Sequence, residues 1–272
     1  MRAVSLWVVA VLITVSLAAW QRISGPTYPV RGTVSVGGAT ISLELLRSGE
    51  TGRPLPVEVN VPPGVEGDVV WRRYPSSDPW NVERLRSNGK LLRTELPSQP
   101  PAGKVEYQVR LREMAGPGRA FPHKPAVARF KGAVPEGVLV PHILAMFLAM
   151  AFAARAGLAA LAGERSVAKL AWITLGLTVV GGFLFGPAVQ KYAFGAWWTG
   201  VPFGWDLTDN KTLIAGLVWA WAVWQLRRNP SARLAPGVAA LVMLVVFSVP
   251  HSVWGSELKW DTAPQPQPTA AP

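Results

Sequence analysis

Two kinds of patterning divide the chain. Residues 3–20 and 170–190 hold no ionisable side chain and are each long enough to cross a bilayer core. Further apolar runs at 138–161, 212–226 and 234–254 bring the expected crossings to five. Between residues 21 and 136 the pattern changes to period two. Thr40-Ile41-Ser42-Leu43-Glu44-Leu45 and Lys104-Val105-Glu106-Tyr107-Gln108-Val109 alternate polar and apolar positions, and Pro and Gly clusters bound such stretches. This alternation gives a strand one buried and one wet face. Strands are expected over 30–36, 39–46, 56–61, 68–73, 91–95, 105–112 and 127–130, about seven in all, as in an immunoglobulin-like sandwich.

The predicted fold is thus an integral membrane protein, an α-helical transmembrane bundle carrying an exported immunoglobulin-like β-sandwich domain. Residues 1–20 form an N-terminal transmembrane anchor or a cleaved signal, and either one exports the adjoining polar region. Residues 21–136 form the extracytoplasmic β-sandwich domain. Residues 137–255 form a four-helix membrane domain with a Trp-rich outer loop at 191–211, and 256–272 a disordered Pro-rich tail.

Charge sets the orientation. The turn near 163–169 carries Arg165 and Lys169 against Glu164, and 227–233 carries Arg227, Arg228 and Arg233 with no acid, so both belong on the cytoplasmic side. The N-terminus is then inside. The β-domain, the 191–211 loop and the C-terminus are extracytoplasmic, in a bacterial-type inner membrane. Arg155 interrupts an apolar run toward its inner end, where a long side chain can snorkel.

Composition narrows the chemistry. Half the residues are hydrophobic (50%) and only 16% are charged, which excludes an ordinary cytosolic domain. The net charge of +11 is dispersed and no binding motif accompanies it, so nucleic acid is not an expected partner. With no Cys, thiolate metal sites, disulfides and thiol nucleophiles are excluded. The chain also lacks GxSxG, GxxxxGK[ST] and HExxH patterns, and no catalytic residue is assigned.

The remaining chemistry gathers at the expected outer face. His142 and His251, each preceded by Pro, fall at the outer ends of their segments. Between them lies the loop with Gly195, Trp197, Trp198, Trp205, Asp206, Asp209 and Lys211. Any single Trp here reads equally as an interfacial anchor, and the Asp pair as a helix N-cap. Two imidazoles in one layer near hydrocarbon point further, to a ligand. Imidazole is an axial ligand for haem iron, and indoles stack on a tetrapyrrole. Lys191, Lys211 and Lys259 are candidate partners for its propionates or, alternatively, snorkelling anchors. Met146 and Met150, on the His142 face, read as packing, and His123, in the β-domain, as surface.

This order of elements resembles the haem-handling membrane proteins of cytochrome c maturation, the tryptophan-rich WWD-motif family, over about residues 138–255. Phe194-Gly195-Ala196-Trp197-Trp198 is similar to the first half of that motif and Trp205-Asp206 to its close. Pro141-His142 and Val249-Pro250-His251-Ser252-Val253-Trp254-Gly255 are similar to the two histidine segments. Phe194 stands where the family has its first Trp, and residues 199–204 lengthen the loop. The resemblance implies haem b held by His142 and His251 over a platform of Trp197, Trp198 and Trp205, with cytochrome c or other assembly proteins as partners. Two other readings stand beside it. One is an iron, copper or zinc ion held by His142, His251 and Asp206 or Asp209. The other is a cofactor-free β-domain assembly protein anchored in the membrane.

Overall fold

The computed structural model describes residues 2–113, 116–251, 253, 255, 258 and 260. The chain forms two compact units, one of Met1–Pro26 with Ala133–Ser256 and one of Thr27–Gly132 with Glu257–Pro272.

The first unit is helical: α1 (Arg2–Ser24), α2 (Glu136–Ala162), α3 (Val167–Thr178), a π-helical stretch (Val179–Phe185), α4 (Gly186–Phe194), α5 (Leu207–Arg228) and α6 (Leu234–Ser248). The α3, π and α4 pieces make one rod, Val167–Phe194. Among the described residues three helices are long and apolar enough to cross a membrane, Ala3–Ser24, Glu136–Ala162 and Val167–Phe194. Length and composition thus carry three of the five expected crossings. Helix α5 carries Asp209 and Lys211 near its start and Arg227 and Arg228 at its end, which shortens its apolar part. Helix α6 has 15 residues, about 22 Å of rise against a hydrocarbon core of about 30 Å.

Small side chains let these helices approach closely. Ala149, Ala153, Ala156 and Ala159 of α2 are fully buried, and a Cβ on Gly157 would lie 2.7 Å from the Ala240 Cβ of α6. Trp219 of α5 fills the core and directs its Nε1–H at the Met243 sulfur, 3.1 Å away. Arg155 does not snorkel. It is buried and donates to Glu164 at 2.6 Å, and Ser166 donates to the same carboxylate oxygen. Arg233 donates to the Gly163 carbonyl (3.2 Å), so the turns after α2 and after α5 meet at one end of the unit.

The second unit is a β-sandwich of three sheets around one core. Strands β1 (Val30–Val36) and β2 (Ala39–Leu45) form a hairpin. Its Gly37-Gly38 turn has positive φ at both residues, as a two-residue turn of matching twist requires. The remaining strands are β3 (Ser48–Glu50), β4 (Leu55–Asn60), β5 (Val65–Tyr74), β6 (Asn81–Arg84), β7 (Arg86–Asn88), β8 (Leu91–Leu96), β9 (Lys104–Glu113) and β10 (Arg119–Lys131). One sheet runs β3-β10-β9-β5-β6, with β3 parallel to β10, and another runs β4-β8-β7. Alternate residues of β4 are buried along its whole length, and the inward faces of both sheets meet around Val69, Leu92, Tyr107 and Phe130. The buried Tyr107 hydroxyl donates to the Leu46 carbonyl at 2.7 Å, and burial raises its pKa.

The expected disordered tail, 256–272, lies outside the described residues except at Leu258 and Trp260. Trp260 is buried in the β unit. Its Nε1–H reaches the Tyr74 carbonyl (3.4 Å) and the Arg73 guanidinium lies 4.7 Å from its ring centroid. Asp78 holds Arg73 in place with contacts of 2.5 and 2.9 Å, and that guanidinium lowers the Asp78 pKa.

Candidate functional site

The site is built at the end of the helical unit opposite the Gly163 and Arg233 turns, where α2 and α5 begin and α6 ends. His142 lies near the start of α2, half-buried, with Nδ1 2.9 Å from the Gly181 carbonyl oxygen. A carbonyl only accepts, so this contact places the proton on Nδ1 and leaves Nε2 as a free lone pair. Gly181 belongs to the π-helical stretch, and the same oxygen accepts the Gly186 amide. The π turn thus aims a helix carbonyl that also serves His142. Neither glycine of this stretch tolerates a side chain: a Cβ on Gly181 would lie 2.9 Å from the Met146 sulfur, and one on Gly182 2.5 Å from the Thr212 methyl. Gly182→Ala is therefore expected to push the π stretch off α5 and weaken the His142 contact. Loss of the Nδ1–H resonance shift of His142 in labelled protein checks this, and an unshifted resonance would count against the arrangement.

His251 follows the end of α6, exposed, directly after two carbonyls that Lys211 of α5 binds. Lys211 is buried, with Nζ 2.7 Å from the Val249 carbonyl and 3.4 Å from that of Pro250. The sequence suggested a propionate partner; here its ammonium serves the backbone just before His251. Lys191 similarly donates to the Gly195 carbonyl (2.8 Å). Lys259 lies outside the described residues.

Both aspartates organise backbone. Asp206 caps α5, accepting from the amides of Thr208 (2.8 Å) and Asp209 (3.4 Å). Asp209 Oδ2 accepts the amides of Thr199 (2.6 Å) and Gly200 (3.1 Å), and Asn210 accepts that of Val201 (2.8 Å). Residues 199–204 are thereby folded back onto the first turn of α5. Among the described residues, no group of three or more His, Asp or Glu side chains comes together to hold a metal ion.

The aromatic residues separate into two sets. Trp198 is half-buried, stacked on Phe183 with ring centroids 6.0 Å apart and an interplanar angle of 18°, and donates to the Val201 carbonyl. Trp197 and Trp205 are exposed, at 59% and 87%. Gly195 ends α4 with φ +84, the left-handed cap conformation that glycine adopts without strain. Met146 and Met150 pack in the helical core, and His123 sits exposed on β10 of the β unit. Sequence reasoning missed three contributors, the Gly181 carbonyl and the Trp20 and Gln21 side chains at the end of α1.

No family model matches this chain, and no curated protein matches it in sequence.

Proposed function

We propose that this chain is a membrane protein that binds haem b between His142 and His251 at its extracytoplasmic face, for haem handling or delivery in cytochrome c biogenesis. The observation that carries this reading is the His142 contact: Nδ1 is bound to the Gly181 carbonyl and Nε2 is free for iron, while the backbone just before the second imidazole is held by Lys211 at the same end of the unit. The donor set fits haem better than a bare ion, because Asp206 and Asp209 are already engaged with backbone amides. Haem iron held by His142 and His251 would supply one-electron chemistry.

The protein's own residues bind and orient. Gly181 fixes the ring of His142, and Trp197 and Trp205 offer exposed indole faces for a flat ligand or for the assembly protein that receives it. The basic turns at one end of the helical unit support an orientation with those turns and the N-terminus in the cytoplasm of a bacterial-type inner membrane. The β unit is then extracytoplasmic. Its facing, mostly antiparallel sheets support an immunoglobulin-like reading.

Haem titration of the detergent-purified chain tests the proposal. A Soret band saturating at one haem per chain, with split reduced bands, is the expected result. A colourless protein after titration overturns the reading.

A further inference from the structure

A helix leaves its last carbonyls without partners of its own. At the end of α6 other side chains supply them. Ser248 Oγ donates back to Val245 (2.7 Å). Gln21 Nε2 donates to the Phe247 carbonyl and Trp20 Nε1 to the Ser248 carbonyl, the latter at 3.0 Å. Lys211 Nζ then takes the carbonyls of Val249 (2.7 Å) and Pro250 (3.4 Å). The carbonyls of residues 247–250 are thus bound in succession by α1 and α5, and the next residue is His251.

This run has few means of ordering itself. Val249 is extended, at φ −75 and ψ 123, and Pro250 has no N–H to donate. Lys211 is 2% exposed, and it brings a positive charge to the negative end of the α6 dipole. Beside it, a Cβ on Gly25 would stand 3.7 Å from the Pro250 Cβ, an ordinary packing distance that brings the chain just past α1 against the same turn. The other end of α1 is also engaged, with Trp7 edge-on to Phe152 of α2, 4.9 Å between ring centroids.

We propose that Trp20, Gln21 and Lys211 form one carbonyl-binding clamp that positions His251, and that α1 is kept in the mature protein as a working part of this site. The clamp rests on these hydrogen bonds; its use in ligand binding rests on the haem reading. All three are positioning residues, since they act on the imidazole through the backbone before it. A cleaved signal segment would remove the donors to Phe247 and Ser248.

Three measurements test this. The intact mass of the chain extracted from membranes is expected to include Arg2–Ser24, and a chain that begins beyond Gln21 overturns the proposal. The sequence has no Cys, so a single nitroxide can be placed at Val253→Cys, where an immobilised spectrum is expected. Lys211→Met and Gln21→Ala should each convert it to a mobile one, while a label at Ser231→Cys, before the other end of α6, stays unchanged. Lys211→Arg keeps a donor and should keep the label immobile. A label that stays immobile in both donor-removing variants, or is already mobile in the unsubstituted protein, overturns the clamp. If Lys211→Met also mobilises the Ser231 label, that variant has lost its fold and half-buried Gln21 decides alone. With haem bound, Lys211→Met should convert part of the low-spin spectrum to high spin. A chain that shows the label responses but takes up no haem keeps the clamp and loses the haem reading. Haem uptake with an unresponsive label does the reverse.

Discussion

Replacing His142 or His251 by alanine is expected to remove the low-spin spectrum of the haem-loaded protein, because either change takes away one of two axial imidazoles. Added imidazole should restore much of it by occupying the vacated position. His123→Ala is the control, since that side chain sits exposed on β10. Trp205→Ala, which removes an 87% exposed indole, should weaken haem retention by about 1 kcal/mol, roughly fivefold, without altering ligation. Optical and EPR spectra separate these outcomes. A bis-histidine spectrum surviving in the double variant His142→Ala/His251→Ala would refute the ligand assignment.

Phe130→Ala is expected to be the most damaging single change in the β unit. Its ring is fully buried, and a Cβ on Gly49 of β3 would fall 2.7 Å from it, so β3 lies directly against the ring. Truncation removes that packing and leaves a cavity, at a cost of about 3–5 kcal/mol, against a total stability of about 5–15 kcal/mol for a typical domain. Urea unfolding of the full chain in detergent, followed by strand-region circular dichroism, should show a much lower midpoint. An unchanged midpoint would mean that the ring contributes little to the core.

The β-strands that could be read in the sequence are those with a buried face. Strands β1, β2, β4 and β9 alternate, and with β5 and β8 they lie within a few residues of where the sequence placed them. Strands β6 and β7 are exposed at every position and offer no alternation to read. Strand β10 begins at Arg119 rather than 127 because Pro122 and Pro125 interrupt the pattern where its register shifts between Phe121 and Ala126. In the helical unit apolar content does not separate the three long spans from α5 and α6, since it weighs neither the charged ends of α5 nor the shortness of α6. At the site, both histidines and the loop carboxylates could be picked out by residue type. The Gly181 carbonyl could not, because Val-Val-Gly-Gly-Phe-Leu-Phe reads as plain apolar helix. Trp20 and Gln21 were equally hidden, as the flank of an apolar run shows no sign of a partner more than 200 positions away (|i−j| 228 and 226).

The ion pair of Arg155 with Glu164 bears on how the chain is made. As α2 leaves the ribosome it carries a guanidinium within its apolar stretch, and placing such a group at the centre of an isolated helix costs about 2.5–3.5 kcal/mol on insertion scales. The carboxylate that offsets it arrives only with the next turn of chain. Handed to the bilayer alone, α2 would bear part of that cost, since Arg155 lies toward its end; handed over with its turn and α3, it enters already neutralised. The pair thus favours co-insertion of a helical hairpin over insertion one helix at a time.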